Sequence, residues 1–144
     1  MAYKTIVAAL GLGLLASCGP GPSGQTQSTA EGQNSNAAIQ SARTLVTVAA
    51  PNLPQQMSAN LTWSQAHSVG TRFVMSYVVH HNLADLSPII NEMKSSGIRE
   101  STSRLCSQAD SKKALDFGVI YVYVFVSQDN QALYDYEITR YNCT

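Results

Sequence analysis

Charge is scarce in this chain: Lys, Arg, Asp and Glu together make 12% of its 144 residues, about half the usual share. Nine basic residues balance nine acidic ones, and no basic cluster along the sequence offers phosphates or anionic lipids an electrostatic footprint, so no nucleic-acid partner is expected. No apolar run approaches the roughly 20 residues of a membrane-spanning helix; the stretch Thr5 to Leu15 stops at 11. A Gly-rich phosphate loop, closely spaced Cys pairs and a nucleophile elbow are all missing, which removes the commonest signatures of nucleotide, zinc and hydrolase chemistry. No cofactor and no metal are expected. What is plentiful is Ser, Thr, Asn and Gln beside an ordinary 44% of hydrophobic residues. Low charge with many neutral polar residues suits an envelope or secreted protein, and the length allows one domain of ordinary size.

The chain starts as a secretory signal peptide does. Lys4 is followed by a short apolar run with glycines at 11 and 13, then by small residues and a Gly-Pro-Gly-Pro break. The end of that run, Leu15-Ala16-Ser17-Cys18, resembles the lipobox of bacterial lipoproteins. The resemblance is confined to the leader. It implies a diacylglycerol on the Cys18 thiol, cleavage after Ser17 and an acylated new amino end, hence a stable membrane anchor. In such lipoproteins an Asp after the cysteine favours the inner membrane; Gly19 and Pro20 stand here and imply the outer membrane, with the protein facing the periplasm. Loss of the leader with Lys4 leaves eight basic and nine acidic residues, a net charge of −1. Residues 1–17 are therefore read as signal peptide and 18–36 as lipidated cysteine plus flexible tether, because Gly19 to Asn36 holds no apolar residue larger than Ala30 and cannot offset its ordering entropy by burial. Such an 18-residue coil would span roughly 23 Å. Residues 37–144 form the single folded domain.

Within that domain Ile39, Ala42, Leu45 or Val46, and Ala49 fall on one helical stripe, ended by Pro51 and Pro54. Leu61 to Ser68 and Arg72 to His81 alternate around Gly70 and read as a β-hairpin, with Gln65 and His67 sharing the face of Leu61 and Trp63. Ser87-Pro88 and Gly97 bracket a helix over 88–96, residues 98–105 stay ambiguous, and Gln108 to Phe117 reads as a second short helix before Gly118. A second hairpin follows. Val119 to Val126 has no polar residue and is expected to be a central strand covered on both faces; Leu133 to Tyr141 puts Tyr134, Tyr136 and Ile138 opposite Asp135, Glu137 and Thr139. The order helix-ββ-αα-ββ predicts an α+β fold, an antiparallel sheet of two hairpins with a helical layer inserted between them. Ile120, Val122, Val124 and Val126 are expected to meet the helices, leaving Tyr121, Tyr123 and Phe125 on the other face as a possible binding face for a protein or glycan.

Once Cys18 carries lipid, Cys106 and Cys143 remain. An even remainder in an oxidising compartment predicts a disulfide, closing a loop of about 38 residues and worth about 4 kcal/mol on loop-entropy grounds. The alternative is Cys106 as a nucleophile at a helix start, paired with a histidine. His80 and His81 are adjacent and point to opposite faces of a strand; only His67 across the hairpin and Asp85 nearby would make a site of them. Asp135 and Glu137 share a strand face at carboxylate-pair spacing, which solvated charges explain equally well. The layout Arg104-Leu-Cys106, Gly118-Val-Ile-Tyr121-Val-Tyr123 and closing Cys143 is similar to that of a group of small bacterial periplasmic proteins and lipoproteins, over roughly Leu53 to Cys143, and implies no activity. In that layout the turn at Asp129-Asn130-Gln131 would be expected to hold a Gly. The leading functional expectation is a non-enzymatic module that binds another envelope protein, as an accessory of a secretion or surface assembly or as an inhibitor. Binding of a small ligand or glycan on the tyrosine face comes second, and an envelope hydrolase using His80 or His81 third.

Overall fold

The computed structural model describes residues 28–143. The leader, Cys18 and most of the expected tether lie outside them. Helix α1, Ser28–Ala49, opens the described chain and runs into a 3-10 turn, Ala50–Asn52. The strands β1 (Gln55–Ser58), β2 (Leu61–Val69) and β3 (Arg72–Val79) follow, then helices α2 (Leu83–Leu86), α3 (Ile90–Ser107) and α4 (Ala109–Asp116), and finally β4 (Ile120–Ser127) and β5 (Ala132–Ile138). The five strands lie in one sheet in sequence order, β1-β2-β3-β4-β5. The fold is α+β, and both expected hairpins form.

The two hairpins meet in parallel, β3 against β4, so the sheet is mixed rather than antiparallel throughout. The reason is the connection: three helices between β3 and β4 are long enough to carry the chain back to the end of the sheet where β3 began. Strand β4 is central, as its unbroken apolar run predicts, but its faces are the reverse of those expected. Tyr121, Tyr123 and Phe125 continue the rows of Phe73, Met75 and Tyr77 and are 3%, 2% and 8% exposed beneath the helices. Val124 and Val126 face outward and are half-buried, and Val122 on the same face is buried. An eight-residue strand with no polar position carries no internal sign of which face is inner. The aromatic face buries more apolar area and takes the core.

Four further differences have local causes. Helix α1 starts at Ser28, not Ala37, so the end of the expected tether, Ser28 to Asn36, is helical. Ala38 and Ala42 pin the helix in the core, and elongating a formed helix adds one hydrogen bond per residue. The polar strand β1 lacks any alternation and exists by pairing with β2. Register slips between Trp63 and Gln65; this bulge at Ser64 exchanges the faces, so that Ala66 and Ser68 turn inward while Gln65 and His67 turn outward. Lastly, Gly97 does not stop a helix. Helix α3 passes through it to Ser107, and the glycine serves packing instead: the ring of Tyr136 occupies the space a side chain would take. Cys106 accordingly sits in the last turn of α3 rather than at the start of α4.

The helix α4, the stop at Gly118 with φ of +99°, and the inward set Tyr136 and Ile138 follow the sequence pattern. Asn130 takes the left-handed conformation, φ +61°, in the turn where a Gly was expected; its short amide side chain tolerates that region better than most.

Candidate functional site

Strand register builds an aromatic row across four strands. Trp63 on β2 pairs with Tyr77 on β3, Tyr77 with Phe125 on β4, and Phe125 with Tyr134 on β5. The rings stack at centroid distances of 6.1, 5.0 and 4.6 Å. The next row toward the start of β4 holds Met75, Tyr123 and Tyr136, with Tyr123 and Tyr136 at 4.8 Å. Offset stacking of this kind adds about 0.5–1.5 kcal/mol per pair beyond area burial.

Above the rows the helices leave a gap. Helix α1 lies over β2 and β3 and α3 over β5. Between α3 and the β1–β2 edge runs a groove of about 420 Å³, with Tyr77, Phe125 and Tyr134 in its floor and Leu61 and Met93 in its walls. It continues into a second hollow of about 450 Å³ toward His81, Asp85 and Ile89, sharing Leu61, Met93, Phe125 and Tyr134 with the first. Met57 and Ile89 stand exposed on the rim. Glu100 and Arg104, both on α3, mark the polar end. Here Gly97 has its use: without a Cβ, α3 sinks onto Tyr136, and Ser101 and Tyr136 share a buried hydrogen bond of 3.0 Å.

The phenols are tuned by this packing. Burial pushes Tyr136 up to about 12, with the Ser101 hydrogen bond and Arg104 opposing. Tyr77 is raised by burial and by Tyr123, against the pull of Arg104, and Tyr134 by burial alone. All are neutral at physiological pH, so the groove floor is uncharged.

The sequence-derived site residues separate. The possible binding face of Tyr121, Tyr123 and Phe125 lies beneath the helices rather than open on the sheet; Tyr123 and Phe125 border the groove, and Tyr121 does not. Cys106 and Cys143 are bonded, with Cα atoms 5.4 Å apart, which leaves no thiol nucleophile at Cys106. His67 pairs with Val74 on the outer sheet face, away from His80. His80 Nε2 instead shares a 2.9 Å hydrogen bond with Thr62, and His81 lines the far hollow. Among the described residues no three His, Cys, Asp or Glu side chains gather as a metal site. Asp135 and Glu137 are exposed on the outer face, where Glu137 pairs with Arg72. Reasoning from sequence missed the groove. Its wall residues Leu61 and Met93 come from elements far apart in the chain, and the readable hint, an isolated Gly at 97 inside a helical pattern, also fits a helix end.

No protein-family model and no curated protein sequence matches the chain. Solved structures do. It is similar to the pilotin EpsS from the Vibrio vulnificus type 2 secretion system, with 17% identity and a TM-score of 0.64 over 78% of this chain and 97% of that one. It is similar to the type II secretion system pilotin AspS from Vibrio cholerae, with 18% identity and a TM-score of 0.61 over 79% and 99%. A Pseudomonas aeruginosa protein described as secreted matches at 12% identity and a TM-score of 0.67 over 77% and 96%. At these identities the likeness is one of fold: the described domain has the architecture of two pilotins over nearly their whole length.

Proposed function

We propose that this chain is a lipid-anchored, non-enzymatic accessory module of an envelope secretion assembly, which holds a segment of a partner protein in the groove along α3. The observation that carries the reading is the groove. From Ile89 to Arg104 it follows α3 for about 22 Å, at 1.5 Å of rise per residue. Its floor is uncharged and aromatic, Leu61 and Met93 wall it, and charge is confined to its two ends, Glu100 and Arg104 at one and Asp85 at the other. A long apolar trough with a polar rim suits an amphipathic polypeptide better than a small polar substrate. The fold shared with two type II secretion pilotins supports a secretion role. The lipobox at Leu15 to Cys18 supports an anchored protein facing the periplasm.

A photo-crosslinking residue placed at Met93, in the groove wall, tests this in intact cells. A discrete protein adduct identified by mass spectrometry is expected at Met93 and not at His67 on the outer sheet face. Lipid alone at Met93, or the same neighbours at both positions, would overturn the groove as the docking site.

A further inference from the structure

A second surface lies at the other end of the molecule. Phe117, 41% exposed just past α4, and Tyr141, 72% exposed in the 3-10 turn after β5, are the aromatic side chains of this end that the core leaves out, and Val69 at the β2–β3 turn of the same end is exposed with them. Both rings border one shallow depression with Asn34 and Ser35 of α1. Each ring carries a cation: Lys113 Nζ stands 5.8 Å from the Phe117 centroid, and the Arg140 guanidinium 4.9 Å from that of Tyr141. Arg140 also donates a 2.8 Å hydrogen bond to the Tyr141 hydroxyl. Asp116 pairs with the neighbouring Lys112 and also acts on Arg140; against that one carboxylate, Lys112, Lys113 and Arg140 leave the charge at the two rings net positive.

The position of this patch gives it an occupant. Asn34 and Ser35 belong to the N-terminal half of α1, and the first residue of that helix, Ser28, is ten residues from Cys18. Fully extended, that connection reaches about 35 Å, so the patch end of the domain, where α1 begins, can come to rest on whatever surface bears the Cys18 lipid. Aromatic rings paired with Lys or Arg are the combination that settles at a bilayer interface, rings at headgroup depth and cations toward lipid phosphates. We infer that the Phe117–Tyr141 patch, with Lys113 and Arg140, is a membrane-facing surface that seats the domain on anionic headgroups. The inference rests on the lipid-anchor reading above. A seated patch fixes the orientation of the domain, which a lipid on a tether alone would leave free, and it turns the His81 end of the groove away from the bilayer.

The test uses the full chain, purified from membranes and reconstituted in vesicles of phosphatidylethanolamine and phosphatidylglycerol brominated near the headgroup end of the acyl chains. Native Trp63, stacked on Tyr77 away from the patch, serves as the reference. In a Tyr141→Trp chain the added indole is expected to be quenched at least about twofold more than Trp63, as an interfacial side chain should be, and to lose part of that excess in high salt. Intact mass of the same sample reports whether Cys18 carries lipid. With lipid present, quenching no greater than in wild type overturns the patch and leaves the anchor standing. With lipid absent, the anchor reading falls and the patch with it.

Discussion

Gly97 is where a helix backbone meets an aromatic ring. A Cβ there would start 3.0 Å from the Tyr136 hydroxyl oxygen and 3.3 Å from its ring, and Ser101 fixes that ring by hydrogen bonding. Gly97→Leu is expected to lower stability by about 1–3 kcal/mol through overpacking, outweighing the roughly 1 kcal/mol it gains in helix propensity. Urea denaturation checks this. Ser101→Ala, which leaves a buried phenol without its partner, should cost about 1–3 kcal/mol, and the two effects should not add, because they act on one ring. The raised phenols make a pH prediction. An unfolded chain releases phenolic protons near pH 10, whereas burial keeps them on Tyr136, up to about 12, and on Tyr77 and Tyr134. Below pH 10 both states are protonated and the stability is complete. Above it the unfolded state binds fewer protons, so stability falls as pH rises through the folded values. The urea midpoint should therefore hold near neutrality and drop between about pH 10 and 12, with phenolate absorbance and loss of near-ultraviolet dichroism in one step. Phenolate appearing near pH 10 before any unfolding would contradict the packed aromatic rows.

At the scale of elements, the disulfide joins the last turn of α3 to the chain three residues past the start of the 3-10 turn Arg140–Asn142. It ties the helix that forms one groove wall to the end of the hairpin that forms the floor. Cys106→Ser or Cys143→Ser is expected to cost about 2–4 kcal/mol, and thiol titration of the unreduced, denatured chain should detect neither cysteine. At Gly118, φ of +99° ends α4 and starts β4; Gly118→Ala should destabilise by about 1 kcal/mol or more, since a Cβ is strained there. The elements also mark how far pattern reading reaches. Both hairpins, α4 and the Gly118 stop follow from alternation and punctuation in nearby residues. The bulge at Ser64 does not: Gln65 and His67 continue a perfect period-two pattern with Leu61 and Trp63, and only pairing against Tyr77 and Ser76 shifts them to the outer face. Strand β1 is equally illegible, being four polar or flexible residues made a strand by a neighbour.

The whole molecule has two ends. Strand β4 runs about 26 Å, at 3.3 Å per residue, from the Phe117–Tyr141 end, where α1 leads back toward Cys18, to the turn beside His81 and the far hollow of the groove. Cys18→Ala is expected to move the chain from the membrane to the soluble fraction or to leave it unprocessed; unchanged fractionation would remove the lipid anchor. Met93→Asp, placing a charge in the groove wall, should abolish partner crosslinking while shifting the urea midpoint only slightly, since Met93 is half-buried beside open space. Loss of folding in step with loss of crosslinking would show the groove to be structural packing.

Sequence by itself determined the α+β class, the two hairpins, the central place of β4 and the candidate lipid site, because each is written in a contiguous run whose periodicity or motif needs no distant partner. It also named Cys106 and Cys143, through parity and compartment. Tertiary structure alone decided which face of β4 is inner, that β3 and β4 pair in parallel, and that Gly97 continues a helix. An all-apolar strand is symmetric in pattern, and the register that breaks the symmetry comes from Phe73, Met75 and Tyr77, nearly fifty residues earlier. The groove is the last consequence. It is the space left where α1 and α3 cover the aromatic rows incompletely, and no single stretch of the chain encodes a gap between two others.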